Sequence, residues 1–233
     1  MKIAITGHSS GIGEEIYNIL DLTMPDVELR GYSKSNGWNL ASNDGDDIIN
    51  DIIDYDPDVV FNNAYYPKIQ NKILEVLYNT WKDQSKVIIN TGSISGHLGH
   101  STLEDQMDSM SGDYIIDKKN LSNFCIANSF NYYATNKTRI QNVSLGFTNT
   151  PLLTRAIHQP DQTNMINCED AAFFMVDLIE WDKPYLIPEF VINGIYKVDN
   201  GSTGYYFDIA SRNMVKHIAR SNRKLKNQNK SST

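Results

Sequence analysis

The sequence contains little cysteine and no long apolar run. Its two cysteines, Cys125 and Cys168, stand far apart and outside any metal-ligand spacing, so we expect free thiols in a reducing environment. No segment approaches the roughly 20 apolar residues of a membrane-spanning helix. An apolar strand begins at Lys2, which leaves no room for a signal peptide ahead of it. These absences predict a cytoplasmic protein without a membrane anchor.

The chain also lacks an excess of positive charge. Its formal net charge is −7, although residues 201–233 hold seven Lys or Arg and one acid, Asp208. The part before residue 201 is therefore strongly acidic, which argues against nucleic-acid binding as the main role. We expect one domain over residues 1–210, followed by a basic helix and a frayed tail over 211–233.

Short apolar runs alternate along the chain with segments of helical periodicity. This alternation predicts a Rossmann fold, in which a doubly wound parallel sheet of about seven strands lies between two layers of helices in an α/β/α arrangement. Loops are expected at 97–112 and 151–166. The predicted strands are 2–6, 26–32, a very short one between 36 and 41, 58–64, 86–93, 139–146 and about 187–192. The predicted helices are 12–22, 45–54, 69–82, about 114–133 and 168–181.

A glycine-rich turn, Thr6–Gly13, joins the first strand to the first helix. Gly7 permits a tight turn, Gly11 lets the backbone approach a pyrophosphate, and Gly13 lets the helix pack closely on the strand. The N-terminus of the helix presents free N–H groups and a positive dipole to the phosphates. The turn therefore predicts a dinucleotide site. Its other expected contacts are Ser9, Ser10 and Ile12.

The TGxxxGxG spacing of this turn resembles that of the short-chain dehydrogenase/reductase family, and further matches follow in order. They are Asn62-Asn63-Ala64 after one strand, Ser93 after the next, Tyr114 and Lys118 in a YxxxK pattern, and Leu145-Gly-Phe-Thr-Asn-Thr-Pro151, which is similar to PGxxxTP. Together they cover residues 3 to about 151. The resemblance implies an oxidoreductase that transfers hydride between a nicotinamide cofactor and a carbonyl or alcohol substrate.

The resemblance also implies the roles of three residues. Tyr114 acts as general acid/base, Lys118 lowers the pKa of Tyr114 and binds the nicotinamide ribose, and Ser93 orients the substrate oxygen. Tyr114 and Lys118 are one helical turn apart and share a face. Since a free tyrosine has a pKa of about 10, a nearby ammonium is needed to favour the phenolate. Asn71 and Asn79 compete for a fourth role, an asparagine that holds a water for the lysine.

The end of the second predicted strand, Arg30–Lys34, has no acid to repel a 2′-phosphate. Ser33 and Lys34 can bind such a phosphate, which favours NADP(H) over NAD(H). The resemblance assigns the remaining cofactor contacts to Tyr32, Asn39, Leu40, Asn63, Ala64, Tyr65, Gly146, Thr148 and Thr150, besides Tyr114 and Lys118.

The sequence departs from the family pattern at two places. Tyr65 stands where the family has glycine, and Ser93 and Tyr114 are 21 positions apart, which is longer than expected. His97 and His100 in the added loop are interpreted as polar loop residues, and no metal site is predicted. Two alternatives stay open, a sugar-nucleotide epimerase, dehydratase or reductase and a non-catalytic dinucleotide sensor. A homodimer or homotetramer is expected.

Overall fold

The computed structural model describes residues 1–97, 112–134, 137–151, 165–181 and 187–192. Most of the two predicted loops, at 97–112 and 151–166, and all of the predicted C-terminal helix and tail at 211–233 lie outside the described residues. Within the described part of the chain, no helix is long and apolar enough to cross a bilayer.

The alternation of strands and helices is confirmed. In the described part of the chain, the apolar runs form strands, most of them buried, and the segments of helical periodicity form helices with one buried face. The elements are β1 (Lys2–Thr6), α1 (Ile12–Thr23), β2 (Glu28–Tyr32), α2 (Asp46–Tyr55), β3 (Val59–Asn62), α3 (Ile69–Trp81), β4 (Val87–Ser93), α4 (Gly112–Ala134), β5 (Arg139–Leu145), β6 (Thr148–Asn149), β7 (Ile166–Asn167), α5 (Cys168–Asp177) and β8 (Glu189–Ile192).

The main sheet has six strands in the order β2-β1-β3-β4-β5-β8, and every neighbouring pair is parallel. A separate parallel pair, β6 and β7, lies after β5 in the chain. The order runs outward from β1 in both directions, which is the doubly wound arrangement of a Rossmann fold. The predicted fold class is therefore confirmed, and six strands of the sheet lie in the described residues.

The predicted short strand between 36 and 41 is wrong. The backbone N–H of Ser33 donates to Asn36 Oδ1 over 3.0 Å, which closes a tight turn directly after β2. Gly37 follows with a φ of 91°, in the left-handed region. Trp38 then turns back to pack against the hydrophobic core. Local turn chemistry thus prevents this segment from extending beside β2.

Two hydrophobic clusters cover the two faces of the sheet. One lies between the sheet and helices α1 and α5, and the other between the sheet and helices α2, α3 and α4. Both clusters consist mostly of branched aliphatic side chains, as expected for a parallel sheet that is buried on both faces. The helices therefore leave the carboxyl ends of the strands as the edge where polar side chains collect.

We predict that Leu74→Ala lowers the free energy of unfolding by about 2–5 kcal/mol, because Leu74 is fully buried and its loss leaves a cavity. Leu22→Ala is the matched control, since the side chain of Leu22 is 63% exposed, and it should change stability by less than about 0.5 kcal/mol. Urea unfolding measures both. Equal effects of the two substitutions would contradict this description of the core.

Candidate functional site

The carboxyl ends of β1 and β3 are tied together at the point where the strand order reverses. The hydroxyl of Thr6 accepts hydrogen bonds from the backbone N–H groups of Asn63 and Ala64, over 2.9 and 3.0 Å. Asn63 Nδ2 donates back to the carbonyl oxygen of Thr6 over 3.2 Å. The turn after β1 and the loop after β3 therefore border one crevice, the position at which open α/β sheets bind ligands.

The glycine-rich turn has a separate geometrical requirement at each of its glycines. Gly7 and Gly11 have positive φ angles of 74° and 60°. A Cβ added to Gly13 would lie 2.2 Å from the Gly7 carbonyl oxygen, so only glycine lets α1 approach β1 this closely. Helix α1 begins at Ile12 without a side-chain cap, which leaves its N–H groups for a ligand. These features fit the pyrophosphate of a dinucleotide. Ser9 and Ser10 are exposed on the same turn.

The loop after β5 faces the glycine-rich turn. A Cβ added to Gly11 would lie 3.6 Å from the side chain of Thr150, in ordinary contact. The hydroxyl of Thr148 donates to the Gly146 carbonyl over 3.0 Å, and the N–H of Gly146 donates to the Ile192 carbonyl over 2.7 Å. Of the three residues predicted in this loop, Thr150 borders the turn, whereas Gly146 and Thr148 bond within the loop and to β8.

Tyr32, a predicted cofactor contact, directs its side chain towards α2. Its hydroxyl donates to Asp51 Oδ2 over 2.8 Å, and Arg30 forms an ion pair with the same carboxylate over 3.0 Å. Burial, together with the Asp51 carboxylate, raises the pKa of Tyr32. The Tyr32 hydroxyl is therefore engaged inside the protein, and the Asp51 charge is neutralised by Arg30.

The other residues predicted around the adenosine lie on the turn after β2. The Ser33 hydroxyl shares a hydrogen bond of 2.7 Å with the Ser35 hydroxyl. Lys34 is exposed, and its ammonium makes no hydrogen bond or ion pair with the described residues. Asn39 accepts the Ala41 N–H, and Leu40 packs partly buried against the core. Ser33 and Lys34 thus remain accessible to an anionic group.

Ser93 and Tyr114 meet although they are far apart in the sequence. Ser93 ends β4, Tyr114 lies in the first turn of α4, and the Ser93 hydroxyl lies near enough to the Tyr114 phenol to influence its pKa. Burial raises the pKa of the Tyr114 phenol, and the nearby Ser93 hydroxyl opposes this rise. The Ser93 hydroxyl also accepts the Ser95 N–H over 3.2 Å, which fixes its position. The pair offers a hydroxyl and a phenol to one substrate oxygen.

Lys118 lies one helical turn beyond Tyr114, and its side chain is enclosed by the protein. Its Nζ donates to Gln70 Oε1 and to the Thr91 carbonyl, both over 2.7 Å, and lies 5.5 Å from the centre of the Tyr114 ring. Burial lowers the pKa of Lys118 to about 7. Two of the three ammonium donors are thus taken by protein acceptors, and one remains.

Gln70 is a site residue that the sequence pattern did not single out. Its Nε2 donates to the carbonyl oxygens of Asn62 and Thr91, over 2.8 and 3.1 Å, so that its Oε1 is aimed at Lys118. The only available signal was a polar residue in the first turn of α3, on its apolar face. Neither asparagine predicted to hold a water for the lysine is hydrogen-bonded to Lys118. Asn71 donates to the Asp117 carbonyl, and Asn79 is exposed.

Tyr65 covers the two residues expected to do the chemistry. Its ring lies 4.8 Å from that of Tyr114, edge to face, and 5.3 Å from Lys118 Nζ. Its hydroxyl donates to Asp117 Oδ2 over 3.1 Å, and the same oxygen accepts the Lys68 N–H over 2.8 Å. Asp117 therefore holds the loop after β3 against α4, with Tyr65 beside the lysine.

His97 belongs to a second polar cluster, formed with Ser144 on β5 and Glu189 on β8. Its Nε2 lies 2.8 Å from a carboxylate oxygen of Glu189 and 3.3 Å from the Ser144 hydroxyl. Hydrogen bonds and the nearby imidazole lower the pKa of Glu189 against the opposing effect of burial. His100 lies outside the described residues. In the described part of the chain, no three His, Cys, Asp or Glu side chains are grouped to hold a metal.

Comparison with known proteins shows the fold. No family model matches the sequence, and no curated protein matches it. Among solved structures, the 3-alpha-hydroxysteroid dehydrogenase from Pseudomonas sp. B-0831, complexed with NADH, is 16% identical with a TM-score of 0.66, over 82% of this chain and 94% of that chain. The chain shares its fold.

Two further structures agree. A short-chain dehydrogenase/reductase from Vibrio parahaemolyticus is 17% identical with a TM-score of 0.59, over 83% of this chain and 100% of that chain. The protein BdcA, in complex with NADPH, is 15% identical with a TM-score of 0.60, over 83% of this chain and 93% of that chain. The fold of these structures thus extends over most of this chain.

We predict that Gln70→Leu destabilises the protein more at pH 6 than at pH 9. Burial places the pKa of Lys118 near 7 in the folded protein, below its value when unfolded, so the lysine is charged at pH 6 and neutral at pH 9. Removing the amide acceptor from a buried ammonium costs about 1–3 kcal/mol, and less once the amine is neutral.

Asn71→Leu, on the adjacent position of α3, is the matched control. It removes a hydrogen bond to the Asp117 carbonyl and no contact of the lysine, so its cost should be the same at both pH values. Urea unfolding at pH 6 and pH 9 measures the four differences. An equal cost of Gln70→Leu at both pH values would show that Gln70 does not support the charged lysine.

Proposed function

We propose that this chain is an NADP(H)-dependent oxidoreductase that transfers hydride between the nicotinamide and a carbonyl or alcohol substrate. The observation that carries the proposal is the proximity of Ser93 to Tyr114, with Lys118 one helical turn away and its Nζ 5.5 Å from the Tyr114 ring. This group lies at the same edge of the sheet as the glycine-rich turn. The fold shared with dehydrogenases that bind NADH or NADPH supports the proposal.

In the direction of reduction, Ser93 donates a hydrogen bond to the carbonyl oxygen and Tyr114 protonates that oxygen. When bound, the nicotinamide supplies the hydride. Tyr114 must then regain a proton, and a cation nearby makes this exchange possible close to neutral pH. Lys118 provides the cation, and its remaining donor is available to a ribose hydroxyl. Gln70 keeps the ammonium in place.

The preference for NADP(H) rests on the end of β2. No acid occurs between Arg30 and Lys34, so nothing there repels a 2′-phosphate. The exposed Lys34 supplies a positive charge, and the Ser33 hydroxyl a hydrogen bond. The N-terminus of α1 would hold the pyrophosphate, because its free N–H groups and the helix dipole favour an anion.

We also propose that the protein forms a homodimer or homotetramer in a reducing cytoplasm. Helix α4 exposes two large apolar side chains, Ile116 and Ile126, at 47% and 39%. A second copy of α4 can cover them. Cys125 and Cys168 are both free thiols, which supports a reducing compartment.

We predict that Tyr114→Phe lowers kcat/KM for carbonyl reduction by about 10²–10⁴, because it removes the proton donor and leaves the ring in place. The dissociation constant of NADPH should change by less than about threefold, a change worth well under 1 kcal/mol. A screen of carbonyl compounds with NADPH supplies the substrate for this measurement.

Tyr55→Phe is the control, since the hydroxyl of Tyr55 donates to the Glu28 carbonyl at the opposite end of β2 from the site. It should leave kcat/KM unchanged. Full turnover by Tyr114→Phe would eliminate Tyr114 as the acid.

Tyr65 specifically favours a second candidate function, a dinucleotide sensor without turnover. Its ring encloses Lys118, so a ribose reaches the ammonium only if the ring moves. In a sensor, the wild type binds NADPH without oxidising it, and Tyr65→Ala gains turnover by uncovering the lysine. In an enzyme, the wild type already turns over. Stopped-flow measurement of NADPH oxidation by both proteins separates the two functions.

A further inference from the structure

The end of β2 has a glycine, Gly31, at the place where a Rossmann fold normally recognises the adenosine ribose. In NAD-binding proteins, an acid about 20 residues after the glycine-rich turn binds the ribose hydroxyls there. Gly31 is the last residue but one of β2 and pairs with Ile5, just before the turn begins. No acid is therefore available at this position to bind the ribose.

The imidazole of His8, the second residue of the glycine-rich turn after Thr6, fills this place. A Cβ added to Gly31 would lie 2.2 Å from His8 Cγ and 2.4 Å from its Nδ1, so the ring lies directly over the Gly31 backbone. Any side chain at Gly31 is excluded while the ring is there. The ring of Tyr17, on α1, packs against His8 with a centroid distance of 5.6 Å. The imidazole is thus held between α1 and β2.

His8 Nδ1 is buried and makes no hydrogen bond in the described part of the chain. Buried polar atoms in folded proteins are nearly always paired, so an unpaired one at a ligand crevice indicates a missing partner. Burial lowers the pKa of His8, while the Tyr32 carbonyl has a smaller opposing effect. The ring as a whole is only half-buried, so part of it is open to a ligand, although Nδ1 itself is buried.

We propose that His8 binds the 2′-phosphorylated ribose of NADP(H) and so determines the preference for this cofactor over NAD(H). An imidazole donates a hydrogen bond to a phosphate and takes up a proton beside it, whereas an acid at the same place repels it. Lys34 is a second exposed cation, on the turn directly after β2, whereas the guanidinium of Arg30 pairs with Asp51 on the α2 side. The inference rests on the proposed function, which supplies the dinucleotide.

The test is the binding of each reduced cofactor to the full-length protein, followed by cofactor fluorescence and calorimetry without substrate. The wild type should bind NADPH more tightly than NADH. His8→Ala should weaken NADPH binding about tenfold or more, the loss of one hydrogen bond to a charged group, and NADH binding by less than about threefold. His8→Gln keeps a hydrogen-bond donor without the charge, so its affinity for NADPH should lie between those of the wild type and His8→Ala.

Tyr17→Phe is the matched control, because it keeps the ring that packs on His8, and it should leave the ratio of the two affinities unchanged. The double variant His8→Ala/Gly31→Asp removes the obstructing ring and supplies the acid, and it should prefer NADH. Circular dichroism confirms that each variant is folded.

An unchanged affinity ratio in both His8→Ala and His8→Gln would overturn the role of His8 and leave the proposed function standing. Failure of the wild type to bind either cofactor would overturn both.

Discussion

The burial of one ammonium group governs the arrangement of the candidate site. Lys118 is buried, so water cannot hydrate its ammonium and the protein must supply the hydrogen-bond acceptors. Gln70 and the Thr91 carbonyl supply them, and Gln70 is in turn fixed by the backbone of β3 and β4. The lysine therefore connects α3, α4 and two strand ends, and it fixes the helix face that carries Tyr114.

The site has two halves that depend on different physics. At the glycine-rich turn, the requirement is close approach, since Gly13 lets the helix N-terminus lie against β1 and leaves backbone N–H groups free. At the ends of β4 and α4, the requirement is electrostatic, since burial shifts the pKa values of Tyr114 and Lys118 in opposite directions, upward and downward. The loop after β3 borders both halves, since Ala64 lies against Gly7 and Tyr65 packs on Tyr114, whereas the loop with Thr150 borders the glycine-rich turn.

Periodicity predicted most of the fold, because buried parallel strands and amphipathic helices leave strong patterns. It was wrong between 36 and 41, where the side chain of Asn36 and the positive φ of Gly37 make a turn. Family resemblance predicted Ser93, Tyr114 and Lys118 as site residues. Gln70 and His8 could not be predicted, since their significance lies in tertiary contacts with Lys118 and Gly31 that no local pattern records.

A crystal structure of the protein soaked with NADPH tests the central claim most directly. The account predicts the pyrophosphate against the backbone N–H groups at the start of α1 and the nicotinamide beside Ser93 and Tyr114, with Tyr65 displaced from Lys118. A structure with the dinucleotide bound away from the glycine-rich turn, or with the nicotinamide out of reach of Tyr114, would contradict it.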